Sequence, residues 1–427
     1  MKNRTKLHVS LFALLLAGTG CQGSPEDAVD GEDSSASDAG DGGDASDSGG
    51  GEGGADTSDE EDSADTEGSI SVLPGSILDT PETAVMFTAR DLEQVADTSD
   101  ATYIELVSGQ DVTISAAGVY VISGSATNVT IVVDAGQEAK VQLVLSGVSV
   151  TNDDAPVVYV KTADKVYLTT TDGENHLEVT GAFVPDGETN LDAVIFSKED
   201  LVLNGTGSLE IVSAQGNGVT SKDDLKITGG TLVVTSALDG LEANDSIRIA
   251  GGDVTIDSGK DGLHAENEDD DSLGYVYVSG GTIRIAAADD GIHGTSVVQI
   301  DGGTIDITES SEGIEATYIQ INDGDVSVLA SDDGINVGSK SSAYDVVIEV
   351  NGGTIYVEVA GNDVDGFDAN GDIVINGGTI SVVAPAQPPS GAFDFDGTGQ
   401  LNGGTVTVNG EVITELVADG GGGPGGP

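Results

Sequence analysis

The chain has a single cysteine, Cys21, and no tryptophan in 427 residues. One thiol excludes an intramolecular disulfide framework, so the fold must be held by packing and hydrogen bonding. Basic residues are scarce too: 14 Lys and Arg stand against 75 Asp and Glu, for a formal net charge of −61. Three of the 14, Lys2, Arg4 and Lys6, fall in the first six residues. Nucleic acid is excluded as a partner, because neutralising a phosphate backbone needs basic clusters. Anionic membrane surfaces are disfavoured for the same reason. No apolar run is long enough to span a bilayer. No serine or cysteine nucleophile motif stands out. Gly-Gly pairs are frequent, but each precedes a strand-like run and not a helix, so none reads as a phosphate cradle.

What the chain does have is a repeat. Asp239-Gly240-Leu241-Glu242-Ala243 is followed by Ser246-Ile247-Arg248-Ile249 and Gly251-Gly252-Asp253-Val254-Thr255-Ile256. The unit returns at Asp261-Gly262, Asp290-Gly291, Glu312-Gly313, Asp333-Gly334 and Asp365-Gly366. Gly218, Gly240 and Gly262 step by 22 residues, as do Gly291 and Gly313. A period near 22 indicates a solenoid. Each unit holds three short apolar–polar alternations separated by turn residues, and none has helical periodicity. Three strands per coil describe an all-β, parallel β-helix. One coil cannot bury its own apolar face; stacked coils bury a continuous column. Glycine at the corners is expected to supply positive φ.

In chain order, residues 1–20 read as an export signal, with a basic start and a short apolar core from Leu11 to Ala17. Cys21 after Gly18-Thr19-Gly20 resembles a lipidation site, which implies an exported protein anchored by lipid at the bacterial surface or outer membrane. Membrane contact would then be through that lipid alone. Residues 21–68 are Asp, Glu, Ser and Gly with no Lys or Arg, a composition that extends and stays unfolded as a tether. Residues 69–191 form an entrance region of less regular strands, with a short helix over Glu82 to Asp97 expected to cap the open end. Residues 192–417 are the regular stack, with acidic, Ser/Gly/Lys and Pro-rich excursions at 266–272, 337–345 and 385–390 and a closing strand at 409–417. Residues 418–427 are a Gly/Pro tail. A monomer is expected.

Alternation sorts the residues by face. Leu241 and Ala243 point inward, so Glu242 points out. The same register gives an outward column of Thr220, Glu242, His264, His293, Glu315, Asn336 and Asp368. Beside it runs a corner column of Asp239, Asp261, Asp290, Glu312, Asp333 and Asp365. Carboxylates about 5 Å apart at an effective dielectric near 20 repel by roughly 3 kcal/mol, so the columns need relief. Three remedies exist: hydrogen bonds from the N–H groups of each Asp's own turn, proton uptake, or a divalent cation. Ca²⁺ suits best, since it accepts several oxygens at loose geometry. The expected ligands are Asp239, Glu242, Asp261, Asp289, Asp290, Glu312, Glu315, Asp332, Asp333, Asp365 and Asp368, with the acidic loop as a further candidate. The RTX-type calcium repeat is absent. His264 and His293, two of four histidines, fall at one repeat position and are candidate ligand contacts, with a shared transition metal a weaker alternative. Tyr275 and Tyr277 alternate in phase and are candidates for stacking on sugar. Lys260, next to Asp261, is the one candidate base for a lyase. Lys198 and Lys222 sit in Ser-Lys-acid-Asp motifs, where flanking acids make poor bases of them.

Residues 100–406 resemble a family of bacterial carbohydrate-binding domain-containing proteins, typified by a clostridial cellulose- and pectin-binding β-helix protein. The resemblance rests on Lys140 to Val148, on Ser221-Lys222-Asp223-Asp224-Leu225-Lys226-Ile227-Thr228-Gly229-Gly230, and on the Asp-Gly-[Leu/Ile]-[Glu/His]-Ala repeats. It implies a right-handed parallel β-helix similar to pectate lyases, bound calcium, and affinity for cellulose and polygalacturonate. The function expected is therefore calcium-containing, non-catalytic binding of acidic polysaccharide at the cell surface. A calcium-dependent lyase using Lys260 and a structural spacer or adhesin are the alternatives.

Overall fold

The computed structural model describes residues 68–80, 85–362, 364–386 and 390–418. Cys21, nearly all of the acidic tether, the centre of the Pro-rich excursion and most of the Gly/Pro tail lie outside the described residues. Within them all regular structure is strand. Within the stack, strands pair in parallel with their copies one coil away: Leu241 with Leu263, Leu263 with Ile292, and Ile292 with Ile314. One ladder is a twelve-stranded sheet running from Val112–Ile114 to Gly391–Phe395, and it carries the Asp-Gly segments. The other two ladders merge into one sheet, because the long strands Gly118–Thr127 and Lys140–Asn152 run through both.

The inward column Leu241, Leu263, Ile292, Ile314, Ile335, Phe367 and Phe393 is buried and belongs to one continuous core. Each such side chain contributes about 1.5–3 kcal/mol when removed from water, which only stacking achieves. The stack closes on a hairpin. Glu411–Ile413 turns back antiparallel onto Thr405–Val408, and Asn409 and Gly410, at φ 52° and 86°, make the two-residue turn. The closing strand expected at 409–417 is this short return.

The glycines divide into two kinds. Gly252, Gly281 and Gly303, each closing a Gly-Gly pair, have φ of 92–95°, as expected for corners. The Asp-Gly glycines differ. A Cβ on Gly262 would lie 2.5 Å from the carbonyl oxygen of Gly291 and 2.5 Å from Ile285 Cγ2. Glycine stands there because the next coil passes too close for a side chain. Gly262→Ala should therefore lower stability by about 1–3 kcal/mol through overpacking. Gly136→Ala, where an added Cβ meets nothing within 4 Å, should change it by less than about 0.5 kcal/mol. Urea unfolding of the two variants checks the contrast.

The helix expected over Glu82 to Asp97 does not form where the segment is described. Val85–Phe87 is a strand, paired antiparallel with Ile70–Ser71, and turns follow it. Nor does the segment cap an end. It lies along the flank of the merged sheet as a strap. Leu78, Met86 and Phe87 pack on Tyr275, Tyr277 and Val297. Ile77 N donates to Gln320 Oε1 (3.0 Å) and Leu78 N to Gln299 Oε1 (3.2 Å). Gln94 accepts from Gly205 N (2.9 Å) and donates to Thr228 O (3.1 Å). The backbone finds partners in side chains of distant coils, so tertiary packing overrides local propensity.

Candidate functional site

Strand register places the outward column as the alternation requires. Thr220 pairs with Glu242, Glu242 with His264, His264 with His293, His293 with Glu315, Glu315 with Asn336, and Asn336 with Asp368. Asp394 adds one more rung. On the N-terminal side the column continues through Phe196 to Tyr159. At that end the column is aromatic but covered, Phe196 and Tyr159 being buried with Leu191, and at the other it is acidic.

The corner column relieves its charge in a way the sequence did not suggest. Asp239, Asp261 and Asp333 each accept from the N–H of the next coil's corner residue and not from their own turn. Asp261 N donates to Asp239 Oδ1 (3.1 Å), Asp290 N to Asp261 Oδ1 (3.0 Å) and Asp365 N to Asp333 Oδ1 (2.7 Å). Asn217 Oδ1 begins the chain by accepting from Asp239 N (3.0 Å). Asp239, Asp261, Asp290 and Asp365 are buried, whereas Asp289 and Asp332 are exposed.

Two histidine clusters sit on adjoining coils. His264 Nδ1 lies 3.4 Å from Asp239 Oδ2 and 3.3 Å from Asp261 Oδ2. Lys260 Nζ bridges the same two carboxylates at 3.3 and 3.1 Å. One coil on, His293 Nδ1 lies 2.9 Å from both Asp290 Oδ2 and Glu315 Oε2, and Lys340 Nζ holds the other oxygen of Glu315 at 2.8 Å. The rings of His264 and His293 meet edge to face, centroids 5.0 Å apart. Asp261, Asp289 and Asp290 offer three oxygens within 4.8 Å of one another. Lys260, Asp289, His293 and Glu312 stand around the same open cleft.

Protonation follows the uneven supply of cations. Burial pulls the His293 imidazolium down, but Asp290 and Glu315 outweigh it and push its pKa up to about 9. Burial raises Glu315, but His293 and Lys340 hold it at about 2. Past that point the charges acting are those of other carboxylates. Glu312 rises to about 8 through burial and the neighbouring Glu315, Asp290 and Asp333. Asp333 rises to about 7 through burial and then the neighbouring Asp368 and Asp332, and Asp368 to about 6 through burial and then Asp365 and Asp394. Asp192, outside the sequence-based set, rises to about 6 through burial and Glu242.

These shifts give a sign. Glu312, Asp333 and Asp368 hold protons in the fold that the unfolded chain has lost, and His293 keeps a proton that the unfolded chain loses above about pH 6.5. Both effects make the folded state the stronger proton binder between pH 5 and pH 9. Stability should fall as pH rises, by on the order of 5 °C in Tm from pH 5 to pH 8 in chelator. A thermal melt series in chelator checks it; a Tm that climbs over that range contradicts the assignment.

A family model described as "Carbohydrate-binding domain-containing protein" matches residues 108–363. The chain belongs to that family. A carbohydrate-binding domain-containing protein of Acetivibrio thermocellus is 36% identical over 129 residues, covering 30% of this chain and 45% of the relative. The chain therefore spans less than half the length of that relative. A solved structure, the polysaccharide lyase-like protein from C. thermocellum in a gadolinium derivative, is 32% identical at a TM-score of 0.47, covering 52% of this chain and 96% of that one.

In this carbohydrate-binding domain-containing protein the two candidate stacking tyrosines are not on the surface. Tyr275 and Tyr277 are each 1% exposed, and the strap residues Met86 and Phe87 belong to the cluster that covers them. They point away from the core as alternation required, but a second layer meets them there. Glu242 is held by its own neighbours: Asn217 Nδ2, Thr220 Oγ1 (3.1 Å) and Lys222 Nζ (3.0 Å) all donate to it. The acidic loop braces another loop. Asp271 accepts from Ser342, and Ser341 Oγ donates to Asp271 O (2.5 Å). Lys340, which reaches Glu315, was missed because it lies in an excursion with no repeat register. Asp394 was legible as one more Phe-Asp-Phe copy of the Phe367-Asp368-Ala369 pattern.

Proposed function

We propose that the protein binds acidic polysaccharide, of which polygalacturonate is the type, through Ca²⁺ on the corner and outward columns, and does not cleave it. The observation that carries the reading is the meeting of Asp261, Asp289 and Asp290 oxygens within 4.8 Å of one another, on a face where burial first and then neighbouring charge raise Glu312, Asp333 and Asp368. Such a face wants positive charge that the chain does not bring. A protein of net charge −61 would repel a polyuronate unless cations intervened.

The residues fit calcium. Oxygens bound to one Ca²⁺ at 2.3–2.6 Å lie no more than about 5 Å apart, and those of Asp261, Asp289 and Asp290 lie within 4.8 Å. These three would hold an ion, and the ion would supply the charge that sugar carboxylates need. A neutral glucan such as cellulose is the poorer ligand, because Tyr275 and Tyr277 are covered. The lyase alternative is also weaker. Burial lowers the Lys260 pKa, but Asp239 and Asp261 outweigh it and hold the ammonium above its usual range, so Lys260 is poorly suited to take a proton. Attachment at the cell surface through lipid on Cys21 completes the proposal, and loss of membrane fractionation in Cys21→Ser would support it.

The test is retention of the protein on insoluble polygalacturonate with Ca²⁺ and with chelator, while the supernatant is followed for ultraviolet absorbance of unsaturated uronate. Calcium-dependent retention without absorbance growth is expected. Absorbance growth would establish the lyase. Absence of retention in calcium would return the chain to a spacer.

A further inference from the structure

Of the six described lysines outside the buried network under the strap, three line up. Register pairs Val160 with Ser197 and Ser197 with Ser221, so Lys161, Lys198 and Lys222 occupy one position on three successive coils. The backbone confirms it: Lys198 N donates to Val160 O (3.1 Å) and Lys222 N to Ser197 O (2.8 Å). Neighbouring rungs are about 4.8 Å apart. In a chain with 14 Lys and Arg against 75 Asp and Glu, three ammoniums stacked in register are not explained by solubility.

Their side chains are oriented. Lys161 Nζ lies 4.8 Å from the centre of the Tyr159 ring and Lys222 Nζ 5.9 Å from that of Phe196. These rings pack against each other and, through Phe196, form a small apolar cluster with Leu191 and Phe183. Aromatic support limits the rotamer freedom that a lysine otherwise loses on binding. Neutralisation by the protein is partial. Lys161 meets the exposed Asp186 at 2.6 Å and Lys222 meets Glu242 at 3.0 Å. The middle lysine, Lys198, is exposed and donates only to the hydroxyl of Thr189 (2.8 Å); it makes no ion pair among the described residues.

We infer that the Lys161–Lys198–Lys222 ladder is a direct, calcium-independent site for the carboxylates of a polyuronate chain. The inference rests on the acidic-polysaccharide reading above and adds a second mode of contact to it. A polymer with regularly repeated carboxylates laid along the stack axis meets regularly repeated ammoniums. Lys222 adjoins the coil of Glu242, so the same chain would pass from the lysine ladder onto the carboxylate columns. The face then has a direction: ammonium contacts at its N-terminal end and cation-held contacts beyond.

The experiment uses the whole protein and soluble polygalacturonate in chelator, with fully methyl-esterified pectin as the uncharged control. Two readouts are taken: affinity at rising NaCl, and protection of each lysine from acylation by mass spectrometry. Expected are weak, salt-sensitive binding to polygalacturonate alone, protection of Lys198 and Lys222 but not of Lys140, and a roughly tenfold loss of affinity in Lys161→Gln/Lys198→Gln/Lys222→Gln. Arginine at all three positions should restore binding, which separates loss of charge from misfolding. Asp186→Asn should strengthen binding by releasing Lys161. Calcium-dependent retention with no binding in chelator and no lysine protection would overturn this inference and leave the calcium reading standing. Failure of the wild type to bind in either condition would overturn both.

Discussion

Asp91→Ala should cost the fold about 3–5 kcal/mol, the usual penalty for stranding a buried charge. Asp91 stands on the strap itself and is fully buried against the sheet. Its carboxylate lies 3.5 Å from Lys165 Nζ and 3.6 Å from Lys226 Nζ, and Thr88 N donates to it at 3.0 Å. Burial pushes the carboxyl up, but Lys226 and Lys165 outweigh it and hold it below the usual range. Its contribution is therefore present above the ordinary Asp pKa, near 3.8, and lost as pH falls through the lower folded value. Lys226 is itself buried, so removing Asp91 leaves a desolvated ammonium with Asp224 as its other partner, at 3.7 Å. The strap would lose its electrostatic fastening while Phe87 and Leu78 kept their apolar contacts. Urea unfolding should show a large fall in midpoint, and Asp91→Ala/Lys226→Met should recover part of it because no charge is then stranded. A loss under about 1 kcal/mol would mean that the buried network does not fasten the strap.

The second large effect concerns the corner column. Asp261→Asn/Asp290→Asn should weaken calcium binding by about 100-fold or more while leaving the calcium-free fold as stable as before, or more so. The column contains its own precedent. Asn217 stands at this position and its amide oxygen accepts the N–H of Asp239 at 3.0 Å, the bond that Asp239 and Asp261 repeat to the coils beyond. At 261 asparagine keeps that bond and removes a repelling charge; at 290 it removes one of the two carboxylates beside His293 Nδ1, which keeps Glu315 at 2.9 Å. Asp261 and Asp290 are both raised above the usual range, by burial first and by neighbouring carboxylates, so the charge being removed is an unfavourable one. The expected signature is a normal melt in chelator with the calcium-induced rise in Tm abolished. A variant that keeps the full calcium shift would place the ion elsewhere.

The stack itself was legible because the same physics acts in every coil. The alternation in Leu241-Glu242-Ala243 fixes one inward column and one outward column, and strand register bears out both. What was not legible occurs once. The strap has no repeat, and nothing near Tyr275 or Tyr277 in sequence says that residues almost two hundred positions earlier will cover them. The bond from the corner N–H of Asp261, Asp290 and Asp365 to the neighbouring coil's carboxylate is equally hidden, because an Asx turn demands the same residue. The Asp-Gly glycines were read correctly as obligatory but for the wrong reason: at Gly262 the constraint is the carbonyl of Gly291, 2.5 Å from an added Cβ. Lys198 and Lys222 were legible as copies of one Ser-Lys-acid-Asp motif, but Lys161 lacks it, and insertions place all three off the 22-residue period. Only strand pairing brings them together.

A crystal structure of the protein grown with calcium and a short oligogalacturonate tests the account most directly. Cations are expected on the corner column, with Asp261, Asp289 and Asp290 among their ligands and sugar carboxylates completing the coordination. An ordered saccharide lying elsewhere, with Lys260 still bridging Asp239 and Asp261 and no cation beside Asp289 and Asp290, would contradict it.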